Sequence, residues 1–324
     1  MDNRVQSRFL RLMPEGLAWV FRVVLFLGIA LSVVVVMHFY LWLRLVHDPH
    51  LAAPWSTLGL LAMVFLGASA PAVFILNRVL GWRAGSGTAG FIFLWIGLAF
   101  VLVLLLLFVD GLTGLVWLLR RTPEVDPERR TLLARGIAAG ALTVGGLTSI
   151  SGRRAAIHTP AVKTIHVALK KWPATLSGLK IVQLTDIHVG PTLGREFVER
   201  LVARANSLKP DLIAITGDVV DGTVESLRDE VAPLRDLQAP YGVYLVTGNH
   251  EYYSGAKPWL QEFERLGIRV LRNTLLTLGD GDSSFEIAGI DDPTGRLFLS
   301  DHGTEMETAL QAHDITKPVI LLAH

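Results

Sequence analysis

The sequence contains no cysteine. Disulfides and thiolate metal ligands are thereby excluded, so any metal site must be built from His, Asp, Glu or Asn. Charge of one sign is missing as well: the net charge is +1 over 324 residues. That balance gives no large basic field, and nucleic acid is not an expected partner. Two catalytic signatures are also absent. There is no Gly-x-Ser-x-Gly elbow to present a serine nucleophile, and no Gly-x-x-x-x-Gly-Lys loop to cradle a nucleotide. Acid is scarce in one region only. Nearly all carboxylates lie beyond residue 120, although 51% of the chain is hydrophobic, so the apolar excess belongs to the first third. This asymmetry predicts a membrane segment followed by a water-soluble domain.

The apolar third contains three runs long enough to cross a hydrocarbon core of about 30 Å: Val23 to Leu43, Leu58 to Leu76 and Gly90 to Val109. None contains Asp, Glu or Lys, which argues against a transporter or sensor whose spans would hold an ion pathway. A fourth, weaker candidate, "RRTLLARGIAAGALTVGGLTSI" from Arg129 to Ile150, is rich in Ala and Gly. The pair Arg129 and Arg130 before it reads either as a twin-arginine export signal or as the basic flank of a helix. Orientation by Lys/Arg excess is divided. Arg4, Arg8, Arg11 and Arg22 favour a cytoplasmic N-terminus; Arg120, Arg121, Arg129, Arg130 and Arg135 pull the third loop to that side instead and give a slight lean to an extracytoplasmic C-terminal domain. The expected organisation is a multi-pass cell-membrane region of three to four helices over residues 1–150, a linker over 151–173 and an α/β domain over 174–324.

From residue 174 short apolar runs alternate with amphipathic stretches, the pattern of an α/β fold. "LKIVQLTD", "DLIAITGD", "GVYLVTGN", "IRVLRN", "SFEIAGID" and "KPVILLAH" read as strands, with helices over "REFVERLVARANSLKP", "VESLRDEVAPLRDL" and "AKPWLQEFERLG". Three strands deliver polar residues at their C-terminal edges, where open α/β sheets bind ligands. The first supplies Asp186 and His188; the second, after a glycine, Asp218 and Asp221; the third, after another glycine, Asn249, His250 and Glu251. An isolated Asp there caps a helix, and an isolated His beside Gly and Asn is a turn residue. Three consecutive strand ends with oxygen or imidazole donors point instead to a hard or borderline divalent metal. His158, His166, His302 and His313 fall in polar stretches and read as surface residues. Asp291 and Asp292 suit either a supporting place at the site or a turn before Pro293, and the aromatics of "EYYSGAKPW" suit either a substrate pocket or packing.

The order Asp-x-His, Gly-Asp-x-x-Asp, Gly-Asn-His-Glu resembles that of the calcineurin-like metallophosphoesterase family. With membrane spans in front, the chain is similar to its membrane-anchored branch, the transmembrane proteins with a metallophosphoesterase domain. The resemblance covers about Leu179 to His324 and implies a two-sheet αββα sandwich holding two divalent ions, Mn, Fe or Zn. By that likeness Asp186 and His188 would hold the first metal, Asp218 would bridge both, and Asn249 and His324 would serve the second. His250 would be the catalytic acid or charge stabiliser, oriented by Asp221. The family places a Gly-His-x-His segment after its last strand histidine. The sequence stops at His324 without one, so the expectation is a domain truncated at its C-terminus, with two ligands and the last strands of the second sheet missing.

The implied reaction is hydrolysis of a phosphomonoester, phosphodiester or pyrophosphate. Tethering to a bilayer suggests a lipid-linked substrate such as a nucleotide-diacylglucosamine. The alternative from another class is a catalytically incompetent metal-binding or scaffold membrane protein. A nuclease would call for a basic groove that the composition does not support.

Overall fold

A computed structural model of the chain describes residues 15–80, 86–120, 126–169 and 172–324. The chain forms two compact units, residues 1–156 and 157–324.

The first unit contains four helices: α1 (Glu15–Trp42), prolonged by a π-helical turn over Leu43–His47, α2 (Trp55–Leu80), α3 (Ser86–Arg120) and α4 (Pro127–Ile157). All four are long and apolar enough to cross a membrane. Their side chains are arranged inside out relative to a water-soluble bundle: Val36, Phe108 and Leu119 stand exposed, while a narrow seam of Leu41, Leu45, Ala99, Leu102, Leu106 and Ala138 is buried between helices. Gly145 on α4 lies on this seam, where an added Cβ would sit 3.0 Å from Leu102. Small residues here let helices approach when lipid provides no hydrophobic drive to bring them together.

The helices outrun the predicted spans, and the excess matters. Extended to these lengths, the apolar segments Val24–His47 and Gly87–Leu119 also take in Arg44 and Asp110, which lie just beyond the predicted spans. These charges are paired inside the bundle: Arg44 contacts Asp48 and Asp110, and Tyr40 donates to Asp110 Oδ2 at 2.7 Å. His38 accepts from the Trp95 indole N–H at 3.0 Å. A polar group in apolar surroundings needs such partners. Arg129 and Arg130 lie exposed in the first turn of α4. Arg4, Arg8, Arg11 and Arg121, on which the orientation argument drew, fall outside the described residues, and no side chain is described for Arg22 or Arg120. Residues 151–157, expected to open a linker, continue α4, and the exposed irregular segment begins at His158.

The second unit is an α/β domain with two sheets. β1 (Ile181–Leu184), β2 (Leu212–Thr216), β3 (Val243–Val246) and β4 (Arg269–Val270) form a parallel sheet in chain order. The crossovers hold α5 (Arg195–Ser207), α6 (Val224–Val231), the short α7 (Asn249–Ser254) and α8 (Ala256–Arg265). β5 (Thr274–Leu278), β6 (Phe285–Gly289) and β7 (Val319–Leu322) form the second sheet, antiparallel between β5 and β6 and parallel between β6 and β7. α9 (Met306–Leu310) touches β5 and β6.

Strand alternation divides the core in two. Ile213, Ile215, Val243 and Leu245 join Phe197, Val198, Leu201, Trp259 and Phe263 of α5 and α8. The intervening residues Leu212, Ala214, Tyr244 and Val246 turn the other way, onto Phe285, Ile287 and Leu322 of the second sheet. β2 is buried along its whole length, as a central parallel strand requires. The strand β5 and the short helix α7 were not foreseen; "TLLTL" has no Val, Ile or aromatic residue of the kind that marks the other strands, and α7 is only a six-residue turn.

Candidate metal centre

β1, β2 and β3 all point their C-terminal ends to the same edge, and the loops leaving them are clasped together. Asp186 N donates to the Gly217 carbonyl at 3.2 Å and His188 N to the Asp218 carbonyl at 3.0 Å, tying the first loop to the second. Glu251 ties the second to the third. Its buried carboxylate accepts from Asp218 N at 2.9 Å, Val219 N at 2.7 Å and Gly248 N at 2.7 Å. Burial pushes the Glu251 pKa up, and the three N–H donors pull against that rise. Glu251 stands three residues after Gly248, at the position of a capping-box acid, which is the sequence signal for this role.

The approach is close enough to require glycine. Gly217 has φ +80°, and a Cβ there would sit 2.5 Å from Gly248 N; a Cβ on Gly248 would sit 2.2 Å from Asp218 Oδ1. Asp186, His188 and Asp218 themselves occupy left-handed backbone, at φ 53°, 50° and 54°. Such conformations cost on the order of 1 kcal/mol or more for a residue with a Cβ, and they concentrate at functional sites. Here they turn three polar side chains from two loops into one cleft.

The side chains meet as follows. Asp218, buried, is common to two groups whose candidate ligand atoms lie within 4.8 Å of one another: His188, Asp218 and His250 in one, Asp186, Asp218 and His324 in the other. His324 Nε2 lies 3.3 Å from Asp218 Oδ2, His188 Nε2 3.8 Å and His250 Nε2 4.0 Å. The Asp221 carboxylate reaches two imidazoles, His250 Nδ1 at 2.5 Å and His188 Nδ1 at 3.2 Å, whose rings meet edge to face. Asp218 Oδ1 also accepts from His250 N at 2.9 Å. Asn249 opens α7 between Gly248 and His250, half-buried. The structure thus groups Asp186 with His324 and turns His188 toward Asp221 and His250, with Asp186 3.9 Å from His188.

The donor set fits a divalent cation. Carboxylate oxygen and imidazole nitrogen, with no thiolate, suit Mn, Fe or Zn. His324 Nδ1 lies 2.7 Å from the Thr216 carbonyl, a contact that needs the proton on Nδ1 and leaves Nε2 as the lone pair facing Asp218. This is how metal-binding histidines are oriented. Burial works to lower the His324 pKa, but the Thr216 carbonyl and the Asp218, Asp186 and Asp292 carboxylates outweigh it and raise it.

Four sequence-based expectations need correction or completion. His302 is buried, not on the surface: its ring packs edge-on against Tyr252, and Nδ1 lies 3.1 Å from the Tyr252 hydroxyl. His313 is half-buried and pairs with Glu286. Both were misplaced because local polarity says nothing about partners contributed by distant strands. Asp291 is buried against Arg272, with Arg272 Nη2 at 2.8 Å, while Asp292 caps the 3-10 turn Pro293–Leu297 by accepting from Thr294 N at 2.8 Å. Of the aromatics, Trp259 and Tyr252 are core, whereas Tyr253 is exposed beside His250.

Residues 179–323 match the profile of the calcineurin-like phosphoesterase family. The chain is 35% identical over 237 residues to a transmembrane protein with metallophosphoesterase domain of Danio rerio, covering 69% of this chain and 53% of that one. A protein of the same description from Bos taurus is 36% identical over 213 residues, 63% of this chain and 47% of the relative. A metallophosphoesterase of Helicobacter pylori is 35% identical over 165 residues, 51% of this chain and 42% of the relative. The chain spans about half the length of these relatives.

Proposed function

We propose, from the match of residues 179–323 to the calcineurin-like phosphoesterase family, that the chain is a membrane-anchored, metal-dependent phosphoric ester hydrolase acting on a lipid-linked phosphomonoester, phosphodiester or pyrophosphate. The observation that carries this reading is the sharing of Asp218 between two donor groups. A single carboxylate can offer one oxygen to each of two cations. Asp186, His188, Asn249 and His324 would complete the set. Two divalent ions held there would supply charge neutralisation for a phosphoryl group and lower the pKa of water.

The chain's own residues do the rest. Asp221 accepts from His250 Nδ1 at 2.5 Å, which fixes the orientation of the ring. His250 Nε2 faces the Asp218 side of the cleft, 4.0 Å from Asp218 Oδ2. From there it can give a proton to a leaving oxygen or stabilise charge developing on phosphoryl oxygens. Glu251 and the two glycines hold the three loops in register, so that donors do not have to be gathered by the substrate.

We further read the four apolar helices as four crossings of the cell membrane. An even number puts both ends of the chain on one side, and Arg129, Arg130 and Arg135 favour the extracytoplasmic one by keeping their own loop inside.

The test is hydrolysis of bis(p-nitrophenyl) phosphate with added Mn²⁺, beside an Asp218→Asn control. Mn²⁺-dependent turnover that falls more than ~100-fold in Asp218→Asn supports the hydrolase. Turnover in neither protein would move the non-catalytic scaffold reading to the front.

A further inference from the structure

Several large apolar side chains of the α/β unit are exposed, and three of them stand together at the site. Tyr253 is 58% exposed, Leu297 82% and Phe298 50%. The Tyr253 ring lies 5.3 Å from the His250 ring, and the Phe298 ring 5.6 Å from that of Tyr253, both edge to face. Leu297, next to Phe298 in the chain, ends the 3-10 turn Pro293–Leu297 that packs against α7. A single exposed leucine needs no explanation. A contiguous lip of two aromatics and a leucine beside a polar cleft is different, because apolar patches of that kind mark ligand-binding surfaces.

The lip is held in place from beneath. Tyr252, the buried neighbour of Tyr253, stacks on Phe298 at 6.4 Å and reaches His302 and the Thr247 hydroxyl, the latter at 3.2 Å. Gly295 allows this contact, since a Cβ there would sit 2.7 Å from the Tyr252 ring. The exposed aromatics are therefore presented by a buried framework, and their exposure does not arise from a loose loop. Arg296, exposed, precedes Leu297, and its guanidinium donates to the Thr304 carbonyl at 3.4 Å. Hydrocarbon next to a phosphate is the chemistry of a lipid phosphoester, and a Tyr–Phe–Leu surface beside the Asp218 centre suits both parts of it.

We infer that Tyr253, Leu297 and Phe298 bind the hydrocarbon chain of the substrate, so that the site selects phosphoesters carrying a long apolar group. This rests on the hydrolase reading of the Asp218 centre and adds to it the residues that set specificity. The four apolar helices tether the same chain to a bilayer, where such esters reside.

The test uses the full chain in detergent with Mn²⁺ and a series of alkyl p-nitrophenyl phosphodiesters from methyl to octyl. The lip predicts that kcat/KM rises at least about tenfold from methyl to octyl, equivalent to about 1.4 kcal/mol and hence to fewer than two buried methylenes. In Leu297→Ser/Phe298→Ser the octyl-to-methyl ratio should fall to near one. Ile315→Ser, which alters a residue 77% exposed elsewhere on the unit, should leave the ratio as in the wild type and so cancels partition into detergent. An equal ratio in the wild type and the double variant overturns the lip. Binding of octylphosphonate against methylphosphonate, followed by calorimetry on the Mn²⁺-loaded chain, separates the two claims. A preference for octyl that the double variant loses, without hydrolysis of any ester, retains the lip and rejects the hydrolase; no preference and no hydrolysis rejects both.

Discussion

Phe108 and Leu184 are both large and apolar, yet the first stands 71% exposed on α3 and the second is buried under the helices of the α/β unit. The difference lies in the solvent each unit is built for. In the helical unit the outward face is apolar, as hydrocarbon surroundings would require, and Asp110 pairs with Arg44 and accepts from Tyr40. In the α/β unit water is outside, and the buried charges Glu251, Glu262, Glu286 and Asp291 are each held by named donors. Both units thus pair these charges. They differ in what they do with apolar surface, and the Tyr253–Phe298 lip is a place where the second unit departs from its own rule.

Three changes probe this contrast. The largest effect is expected from Glu251→Ala in the α/β unit. It leaves the N–H groups of Asp218, Val219 and Gly248 without their acceptor, at about 1–3 kcal/mol for each donor left buried. The unfolding midpoint should fall steeply and Mn²⁺-dependent hydrolysis should vanish with it; a variant that unfolds like the wild type would remove Glu251 as the clasp. Next comes Phe108→Asp in the helical unit, where an outward acid should cost about 3 kcal/mol of membrane insertion. Glycosylation-mapped insertion reads this directly, and an unimpaired variant would mean that the exposed face of α3 does not meet lipid. The smallest effect is at His302. Burial, with the nearby Arg272 cation second, lowers its pKa below the ordinary value, so the folded state holds a neutral ring. The unfolded chain takes up that proton near pH 6.5, so stability should decline as the pH falls through that value and level off below the folded pKa. Melting curves between pH 8 and 5 should be flatter for His302→Asn than for the wild type; parallel curves would show that the ring titrates freely.

The two units were also legible to different degrees. The apolar runs announced the helices, but their ends did not, because α1 and α3 continue through Arg44 and Asp110, and only the folded bundle shows that these charges neutralise each other. In the α/β unit the strand-end groups Asp186, Asp218 and His250 could be read from spacing, since an apolar run followed by Gly and polar residues is a local pattern. Their grouping could not. That Asp186 meets His324 and that His188 meets Asp221 depends on loops brought together across three strands. Glu251 was visible as part of its motif without a role, for its partners are backbone N–H groups that no residue type reveals. His302 was misassigned for a related reason: the ring is covered by Tyr252, fifty positions away.

The carboxylate of Glu251 also sets a timescale. The amide protons of Asp218, Val219 and Gly248 point into a buried acceptor shared by two loops, so none can exchange with water unless the loops separate. Exchange at these three amides should be as slow as in the central strand β2, although all three lie in what would be called loop by shape. The cleft would then open only when the sheet itself does, and its geometry would persist between encounters with substrate instead of being rebuilt at each one.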